Sequence, residues 1–280
     1  MTEIPDRLAA LADGYFYHSI DLPGLPTIDG AWDLRPNVDA YLGGVDLRGK
    51  RVLEVGAANG FLSFHMEGRG ADVVPFDLSP DRLGDIMTFP GLDRESFEGK
   101  YREVVEGLNR AWWHARHAFG SALTLRHATA YEIPADLPPV DVTTFGSILL
   151  HLRDPYSALA AAARVTRERI IVTELLMPPF RTTTRLDGFV RRLPSHSATL
   201  ARSHGMAFNP TRNHDPSAWW SFSPGAIEDL LSAVGFGRAK TTYHRQLFRP
   251  EFAPWGPTAL RTYSGPTGSE HLFTLVAERG

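Results

Sequence analysis

The chain has 280 residues, of which 43% are hydrophobic and 22% charged, with a formal net charge of −3 and no cysteine. This composition is typical of a globular protein with one sizeable domain, and the lack of cysteine excludes disulfides, zinc–thiolate sites and a thiol nucleophile. The small negative charge gives no general attraction to nucleic acid, and no apolar run reaches the ~20 residues of a membrane span. Because the N-terminus also lacks the pattern of a secretory signal, we expect a cytoplasmic protein.

Strands and helices alternate along most of the chain. Residues 1–48 combine a short predicted helix near Arg7 with an aromatic segment, and we expect them to form a cap or lid. The remainder, residues 49–280, is the predicted catalytic domain. Its predicted strands are "RVLEVG", "ADVVPFD", "LTLRHATA", "VDVTTFGSILLH", "RIIVTELL", "RAKTTYHRQLF" and "HLFTLVAER". Predicted helices separate them, and Ser223 is the expected N-cap of the one that begins at Pro224.

Residues 177–222 interrupt this alternation with a long irregular segment rich in proline, arginine, histidine and serine. Loops of that length are usually functional, so we expect a substrate-binding insertion. The alternation itself predicts a mostly parallel sheet with both faces covered. Such sheets bind ligands at the carboxyl ends of their strands, which groups the candidate residues at one edge of the sheet.

The turn after the first of these strands, Glu54 to Gly60, indicates which ligand is bound. It has no lysine of a phosphate-binding loop, and it lacks the three-glycine pattern of a dinucleotide site. Glu54 would repel a pyrophosphate but could meet an ammonium group. Asp77, at the end of the next strand, could accept both hydroxyls of a ribose. S-Adenosylmethionine carries an ammonium and a ribose, and it suits this arrangement.

The same motifs resemble those of class I S-adenosylmethionine-dependent methyltransferases. The likeness covers "VLEVGAANGFLS", "VVPFDLS", "ATAYEIP", "VDVTTFGSILLHLRDPYSAL" and "WWSFSPGAIEDLLSAVGF". It implies a Rossmann-like α/β fold whose strands have the order 3-2-1-4-5-7-6, with the last strand antiparallel. The positions implied to bind the cofactor are Glu54, Gly56, Ala57, Ala58, Asn59, Gly60, Asp77, Leu78, Thr129, Ala130, Gly146 and Ser147. Tyr17 is added because the aromatic N-terminal segment is expected both to cap the sheet and to enclose the sulfonium by a cation–π contact.

Within that superfamily, the lead-in "YFYHSIDLPG…AWDLRP" and the segment "ILLHLRDP" resemble the tRNA wobble-uridine carboxymethyltransferase subgroup. That subgroup has a lysine just before the tryptophan of the lead-in, where it holds the extra carboxylate of a modified cofactor. Ala31 precedes Trp32 in this chain, and there is no excess of basic residues. Both departures favour unmodified S-adenosylmethionine and a small-molecule acceptor.

Three histidines are the candidates for removing a proton from the acceptor. His151 is the first choice because it ends the predicted fourth strand, at the edge where the methyl group should point, and imidazole titrates near neutral pH. A histidine that only lines the pocket is the alternative. His214, in the insertion, and His18, beside the aromatic Tyr15 and Tyr17, are the other two.

Other polar and aromatic groups allow more than one interpretation. Asn213, His214 and Asp215 could orient an acceptor through a metal, but a loop held by its own turns is favoured, and no metal is predicted. Of Trp112 and Trp113, adjacent on one helix, one should pack on the sheet and the other should reach the cofactor rim or a lid, and packing is the favoured role for these aromatic residues. Four arginines of the insertion form either a solvated face or a binding site for an anionic acceptor, and we do not choose between these; they are Arg181, Arg185, Arg191 and Arg192.

The sequence therefore favours a bacterial methyltransferase that modifies a small molecule, for example a hydroxyl of a secondary metabolite or a sugar. A tRNA-modifying methyltransferase and a non-catalytic subunit that binds the cofactor are the alternatives. We expect no membrane contact, and either a monomer or a homodimer.

Overall fold

The computed structural model describes residues 4–177, 204–209, 215–254 and 268–280. Within these ranges the main feature is an eight-stranded sheet. Its strands are β1 (Trp32–Asp33), β2 (Arg51–Val55), β3 (Asp72–Asp77), β4 (Arg126–His127), β5 (Val140–Gly146), β6 (Thr166–Leu175), β9 (Arg238–Phe248) and β10 (Ser269–Glu278). A separate antiparallel pair consists of β7 (Met206–Phe208) and β8 (Trp220–Phe222).

The strands lie in the order β4-β3-β2-β5-β6-β10-β9-β1. Strands β2 to β6 run parallel to one another, whereas β10 runs antiparallel to both β6 and β9. With β2 counted as the first core strand, this is the predicted order 3-2-1-4-5-7-6 with an antiparallel last strand, and the prediction is confirmed. The two residues of β1 add an eighth strand beyond β9, which the sequence did not predict.

Three of the described helices begin at a residue whose side chain caps their first turn. The described helices are α1 (Ile4–Ala9), α2 (Val38–Tyr41), α3 (Phe61–Gly68), α4 (Arg94–Phe119), α5 (Pro155–Val165) and α6 (Pro224–Ala233). Asp93 caps α4, Asp154 caps α5 and Ser223 caps α6, each by accepting a hydrogen bond from a backbone N–H three residues on. The predicted cap at Ser223 is confirmed.

The core lies around the central parallel strands. Val52, Leu53 and Val142 have no solvent exposure, as expected for strands that are covered on both faces. Residues of the N-terminal segment, among them Leu34 and Tyr41, belong to the same apolar cluster. The described part of this segment therefore contributes to the core. The boundary between a cap (1–48) and a catalytic domain (49–280) stays a prediction.

The fourth core strand is shorter than predicted. β5 ends at Gly146, because Ser147 has a positive φ of 54° that breaks the extended conformation. A 3₁₀ turn, Leu149–His151, follows. The carboxylate of Glu174, on β6, accepts the backbone N–H groups of Leu149 at 2.8 Å and of Leu150 at 3.3 Å. His151 therefore lies on a turn that β6 holds in place, and not on the strand itself.

The third predicted strand is reduced to the two residues of β4, since only Arg126 and His127 pair with β3. Of the adjacent tryptophans, Trp112 is fully buried, whereas Trp113 is 43% exposed. Trp113 contacts the guanidinium of Arg116 on the helix surface and does not line the cavity described below. Among the described residues, no helix is long and apolar enough to cross a membrane.

Candidate functional site

One cavity lies over the carboxyl ends of the parallel strands. Its walls come from the N-terminal segment, from the turns after β2, β3 and β5, from α4, and from the segment before β8. Most of its lining is apolar or aromatic, and the aromatic members are Tyr15, Tyr17, Trp32, Tyr41 and Tyr101. Its charged or titratable groups, apart from these tyrosines, are Asp77, Asp215, His18 and His151. This cavity is the candidate functional site.

The glycine turn forms the floor of the cavity. Gly56, with a φ of 87°, and Ala58, with a φ of 48°, adopt left-handed conformations and line the cavity. Gly60 also has a positive φ but lies outside it, where a Cβ atom would come within 2.4 Å of Phe64 and 2.8 Å of Trp112. Gly60 is therefore required for the packing of α3 on α4. Of these two glycines, only Gly56 lines the cavity, and a Cβ atom there would lie 3.2 Å from the side chain of Ile148.

Asp77 ends β3 and presents its carboxylate to the cavity. One oxygen accepts the backbone N–H of Ala58 at 2.6 Å, and the other accepts that of Leu78 at 2.7 Å. Burial raises the pKa of this carboxyl to about 6, although both of these hydrogen bonds lower it. Each oxygen keeps a second lone pair, so the group can accept the two hydroxyls of a ribose.

Glu54 lies beneath the turn and does not line the cavity. It is 2% exposed, and one of its oxygens accepts the hydroxyl proton of Ser63 on α3. The other, Oε1, is buried with no hydrogen-bond partner among the described residues. Burial raises the pKa of Glu54 to about 8, so the carboxyl is largely protonated at neutral pH. The geometry therefore does not bring Glu54 to the position expected for a partner of an ammonium group.

Asn59 also lies away from the cavity, because its side chain binds the N-terminal segment. Its Oδ1 accepts the backbone N–H of His18 at 2.8 Å, and its Nδ2 donates to the carbonyl of His18 at 3.1 Å. This pair of bonds fixes the segment that carries Tyr17 and His18 directly above the glycine turn. The hydroxyl of Tyr17 accepts a hydrogen bond from the indole of Trp32 at 2.9 Å, so its own proton is available to the cavity.

The remaining predicted cofactor positions divide into two groups. Leu78, Gly146 and Ser147 line the cavity, and a Cβ atom at Gly146 would lie 3.0 Å from the hydroxyl of Tyr41. Ala57, Thr129 and Ala130 do not line it. The hydroxyl of Thr129 donates to Glu132 at 3.2 Å instead.

His151 also lines the cavity. Its Nδ1 lies 3.0 Å from the backbone carbonyl of Ser217 and 3.5 Å from the hydroxyl of the same residue. A carbonyl oxygen can only accept, so Nδ1 carries the ring proton and Nε2 keeps its lone pair. Ser217 is itself fixed, since Asp215 accepts both its N–H and its hydroxyl. The imidazole is therefore held in the tautomer that a general base needs.

His18 is a less suitable base. It lines the cavity, but burial lowers its pKa to about 4, and its Nδ1 has no hydrogen-bond partner among the described residues. His214, the third predicted candidate, lies outside the described residues, as do Asn213 and the arginines of the insertion. In the described part of the chain, no group of three or more acidic or histidine side chains is arranged to hold a metal.

Sequence reasoning did not identify several residues of the cavity. Tyr41 and Tyr101 line it, but in the sequence they are aromatic members of helical patterns, which usually indicate packing. Ser217 carries no motif, because its contribution to the site is a backbone carbonyl. The pair "WW" beside it was a usable signal: the indoles of Trp219 and Trp220 donate to backbone carbonyls at 2.9 and 3.0 Å and so anchor this wall.

Comparison with solved structures identifies the fold. The N-terminal domain of EvdMO1, crystallised in the presence of SAH and D-fucose, superposes with a TM-score of 0.50 over 99% of this chain and 96% of that chain, at 14% identity. YcgJ of Bacillus subtilis superposes with a TM-score of 0.54 over 88% of this chain and 98% of that chain, at 15% identity. The chain therefore has the Rossmann-like fold of class I methyltransferases.

Curated sequences give a partial match. The ubiquinone biosynthesis O-methyltransferase of Hahella chejuensis is 32% identical over 122 residues, and that of Aromatoleum aromaticum is 30% identical over 121 residues. Each match covers 43% of this chain, and the matched part is 40% and 41% of the respective relative. No protein-family model matches the chain. These comparisons do not support the likeness to the tRNA wobble-uridine subgroup.

Proposed function

We propose that this protein is an S-adenosylmethionine-dependent methyltransferase that acts on a hydroxyl group of a small molecule. The observation that carries the proposal is that one cavity contains both a ribose-type acceptor, Asp77, and a histidine of fixed tautomer, His151. The matches to O-methyltransferases and the structural likeness to a protein crystallised with SAH support the same conclusion.

The residues of the cavity fit the cofactor. Asp77 is a buried carboxylate with spare lone pairs, which two ribose hydroxyls would satisfy. The bare backbone of Gly56 allows a close approach, and Gly146 and Ser147 border the same space from β5. S-Adenosylmethionine would supply a methyl group on a sulfonium, which is already activated for displacement.

The protein then has three tasks: to align the acceptor, to exclude water and to remove a proton. Tyr17 and the rest of the N-terminal segment cover the site, and Asn59 locks them to the glycine turn. Alignment alone contributes several kcal/mol when the reacting atoms lie ~3–3.5 Å apart. With the cofactor bound, Nε2 of His151 would take the proton of the acceptor hydroxyl, and the bond from Nδ1–H to the Ser217 carbonyl would stabilise the imidazolium.

Two measurements test the proposal. Calorimetry with SAH (S-adenosylhomocysteine, the demethylated cofactor) should show binding to the wild-type protein and weaker binding to Asp77→Asn. Incubation with S-adenosylmethionine and a panel of phenols, catechols and sugars should give a product that is heavier by one methylene. In the transfer assay His151→Ala should have reduced turnover, and His117→Ala, at an exposed position on α4, is its control.

Three other outcomes would change the proposed function. Methyl transfer to bulk tRNA without transfer to any small hydroxyl compound would favour the RNA-modifying alternative. Tight binding of SAH with no transfer to either class would favour a non-catalytic subunit. Failure of the wild-type protein to bind SAH or S-adenosylmethionine would contradict the proposal altogether.

A further inference from the structure

Asp215 places a carboxylate in the wall of the cavity although the residue is only 9% exposed. Its Oδ1 accepts the N–H of Ser217 at 2.9 Å and the hydroxyl of Ser217 at 2.6 Å. Its Oδ2 has no donor among the residues that the structure describes. Because Asp215 lines the cavity, this oxygen can accept a further hydrogen bond from a ligand bound there.

The surroundings of Asp215 would suit a cation. No lysine or arginine occurs among the described residues that line the cavity. Tyr17 lines the same cavity, and its pKa is raised to about 12 mainly by burial and also by the negative charge of Asp215. Burial also raises the pKa of Tyr101, which lines the same cavity, and the negative charge of Asp215 contributes to this increase. Aromatic faces beside a carboxylate are the usual surroundings of a bound ammonium group.

We propose that Asp215 binds a protonated amine of the methyl acceptor, so that the cavity selects amine-bearing hydroxyl compounds over neutral and anionic ones. This inference rests on the proposed function, since it concerns the acceptor of the same site. It specifies that the methyl acceptor is positively charged and that Asp215 is the residue that recognises this charge.

The position of Asp215 relative to the base supports this role. Ser217 bridges the two residues: its hydroxyl lies 2.6 Å from Asp215 and 3.5 Å from Nδ1 of His151. An amine held at Asp215 would therefore lie on the side of the cavity where His151 takes the proton. The bridge fixes the spacing between the amine site and the reacting hydroxyl, which gives selection by length as well as by charge.

Two rival partners for Asp215 can be distinguished from an acceptor amine. A neutral hydroxyl could also donate to Oδ2, but it would leave the negative charge of Asp215 unpaired. The ammonium of the cofactor would compensate it, and Asp215 would then contribute to cofactor affinity. Asp215→Asn separates these cases because the amide keeps an oxygen that accepts both bonds from Ser217, while the negative charge is lost.

The test uses matched probes on the full-length protein, with and without saturating SAH. The first probe pair is tyramine and 4-ethylphenol, of which only tyramine carries an ammonium group. The second pair is glucosamine and glucose: glucosamine has an ammonium group at the 2-position, and glucose has a hydroxyl there. Binding is measured by calorimetry and by ligand-observed NMR for the wild-type protein and for Asp215→Asn. Asp136→Asn, at an exposed loop position, is the control for the same chemical change.

In at least one pair, the wild-type protein and Asp136→Asn should bind the amine at least ~10-fold more tightly than its partner, as expected for a charge-assisted bond. Asp215→Asn should reduce this ratio to near one and leave SAH affinity unchanged. No preference for the amine in either pair overturns the proposal, as does a preference that survives in Asp215→Asn. A loss of SAH affinity in Asp215→Asn assigns the carboxylate to the cofactor and also overturns it. Absence of SAH binding by the wild-type protein contradicts the proposed function instead, and the probe pairs measured without SAH still decide the inference.

Discussion

The Nδ1 atom of His151 lies 3.0 Å from the backbone carbonyl oxygen of Ser217, a residue 66 positions later in the chain. This contact joins the turn after β5 to the segment before β8, and it determines which ring nitrogen can act as a base. A carbonyl cannot be removed by substitution, so the role of His151 has to be tested at the imidazole itself.

We expect His151→Ala to reduce turnover ~10²–10⁴-fold and to leave SAH affinity nearly unchanged, because a positioned base contributes to the transition state and not to cofactor binding. Turnover is measured at saturating S-adenosylmethionine, and affinity is measured by calorimetry, with His117→Ala as the control. A loss of less than tenfold across about pH 6 to 9 would leave His151 as a wall residue. Catalysis would then depend on alignment, or on His18 or His214.

Cofactor affinity should depend on the ionisation of Asp77. Its pKa is raised to about 6 in the unliganded protein, and a ribose binds the ionised carboxylate, so SAH affinity should fall as the pH drops below 6, by up to ~10-fold per pH unit. Asp77→Ala should weaken binding by ~1–3 kcal/mol at pH 8, as expected for lost hydrogen bonds to a charged acceptor. Asp77→Asn should remove most of the pH dependence between about pH 5 and 7. Unchanged affinity in Asp77→Ala would exclude the ribose role.

Trp112 and Trp113 provide a matched test of the packing of α4. Trp112 has no solvent exposure and contacts Phe64 on α3, whereas Trp113 is 43% exposed. We expect Trp112→Ala to lower the free energy of unfolding by ~3–5 kcal/mol and Trp113→Ala to lower it by less than ~1 kcal/mol. Urea denaturation measures both. An equal loss of unfolding free energy in the two variants would mean that Trp113 stabilises the fold as much as Trp112 does, despite its exposure.

Much of the fold was predictable because it follows from repeating patterns. Short apolar runs predicted each core strand, and the cap at Ser223 with Pro224 predicted the start of α6. The end of β5 was not predictable, because it depends on a positive φ at Ser147 and on a carboxylate from β6. Neither feature has a signature within the local sequence.

The site was predictable only in part, and for a related reason. Gly56 and Asp77 belong to a motif whose spacing is local, and both line the cavity. Glu54 and Asn59 belong to the same motif, yet their side chains bind Ser63 and the backbone of His18, because the strand and turn point them away from the cavity. Contacts that join distant segments, such as Ser217 with His151, become visible only in the folded chain.

Glu54 provides a last test, of stability against pH. Burial holds its pKa at about 8 in the folded chain, well above its value of 4.5 in an unfolded one, although the bond from Ser63 lowers it. A raised carboxyl pKa stabilises the fold fully below the unfolded pKa, and this contribution is lost as the pH rises through the folded pKa. Between about pH 5 and 7.5 the folded chain binds one more proton than the unfolded chain at this position. The free energy of unfolding of the unliganded protein should therefore fall by up to ~1.4 kcal/mol per pH unit from this group.

Glu174 contributes a slope of the same sign, since burial raises its pKa to about 8 as well, so the informative quantity is a difference between variants. We expect Glu54→Gln to have a shallower slope than the wild-type protein in urea denaturation, and Glu228→Gln, at an exposed position on α6, to keep the wild-type slope. Parallel curves for the wild-type protein and Glu54→Gln would mean that Glu54 is ionised in the folded state, with a compensating donor at Oε1.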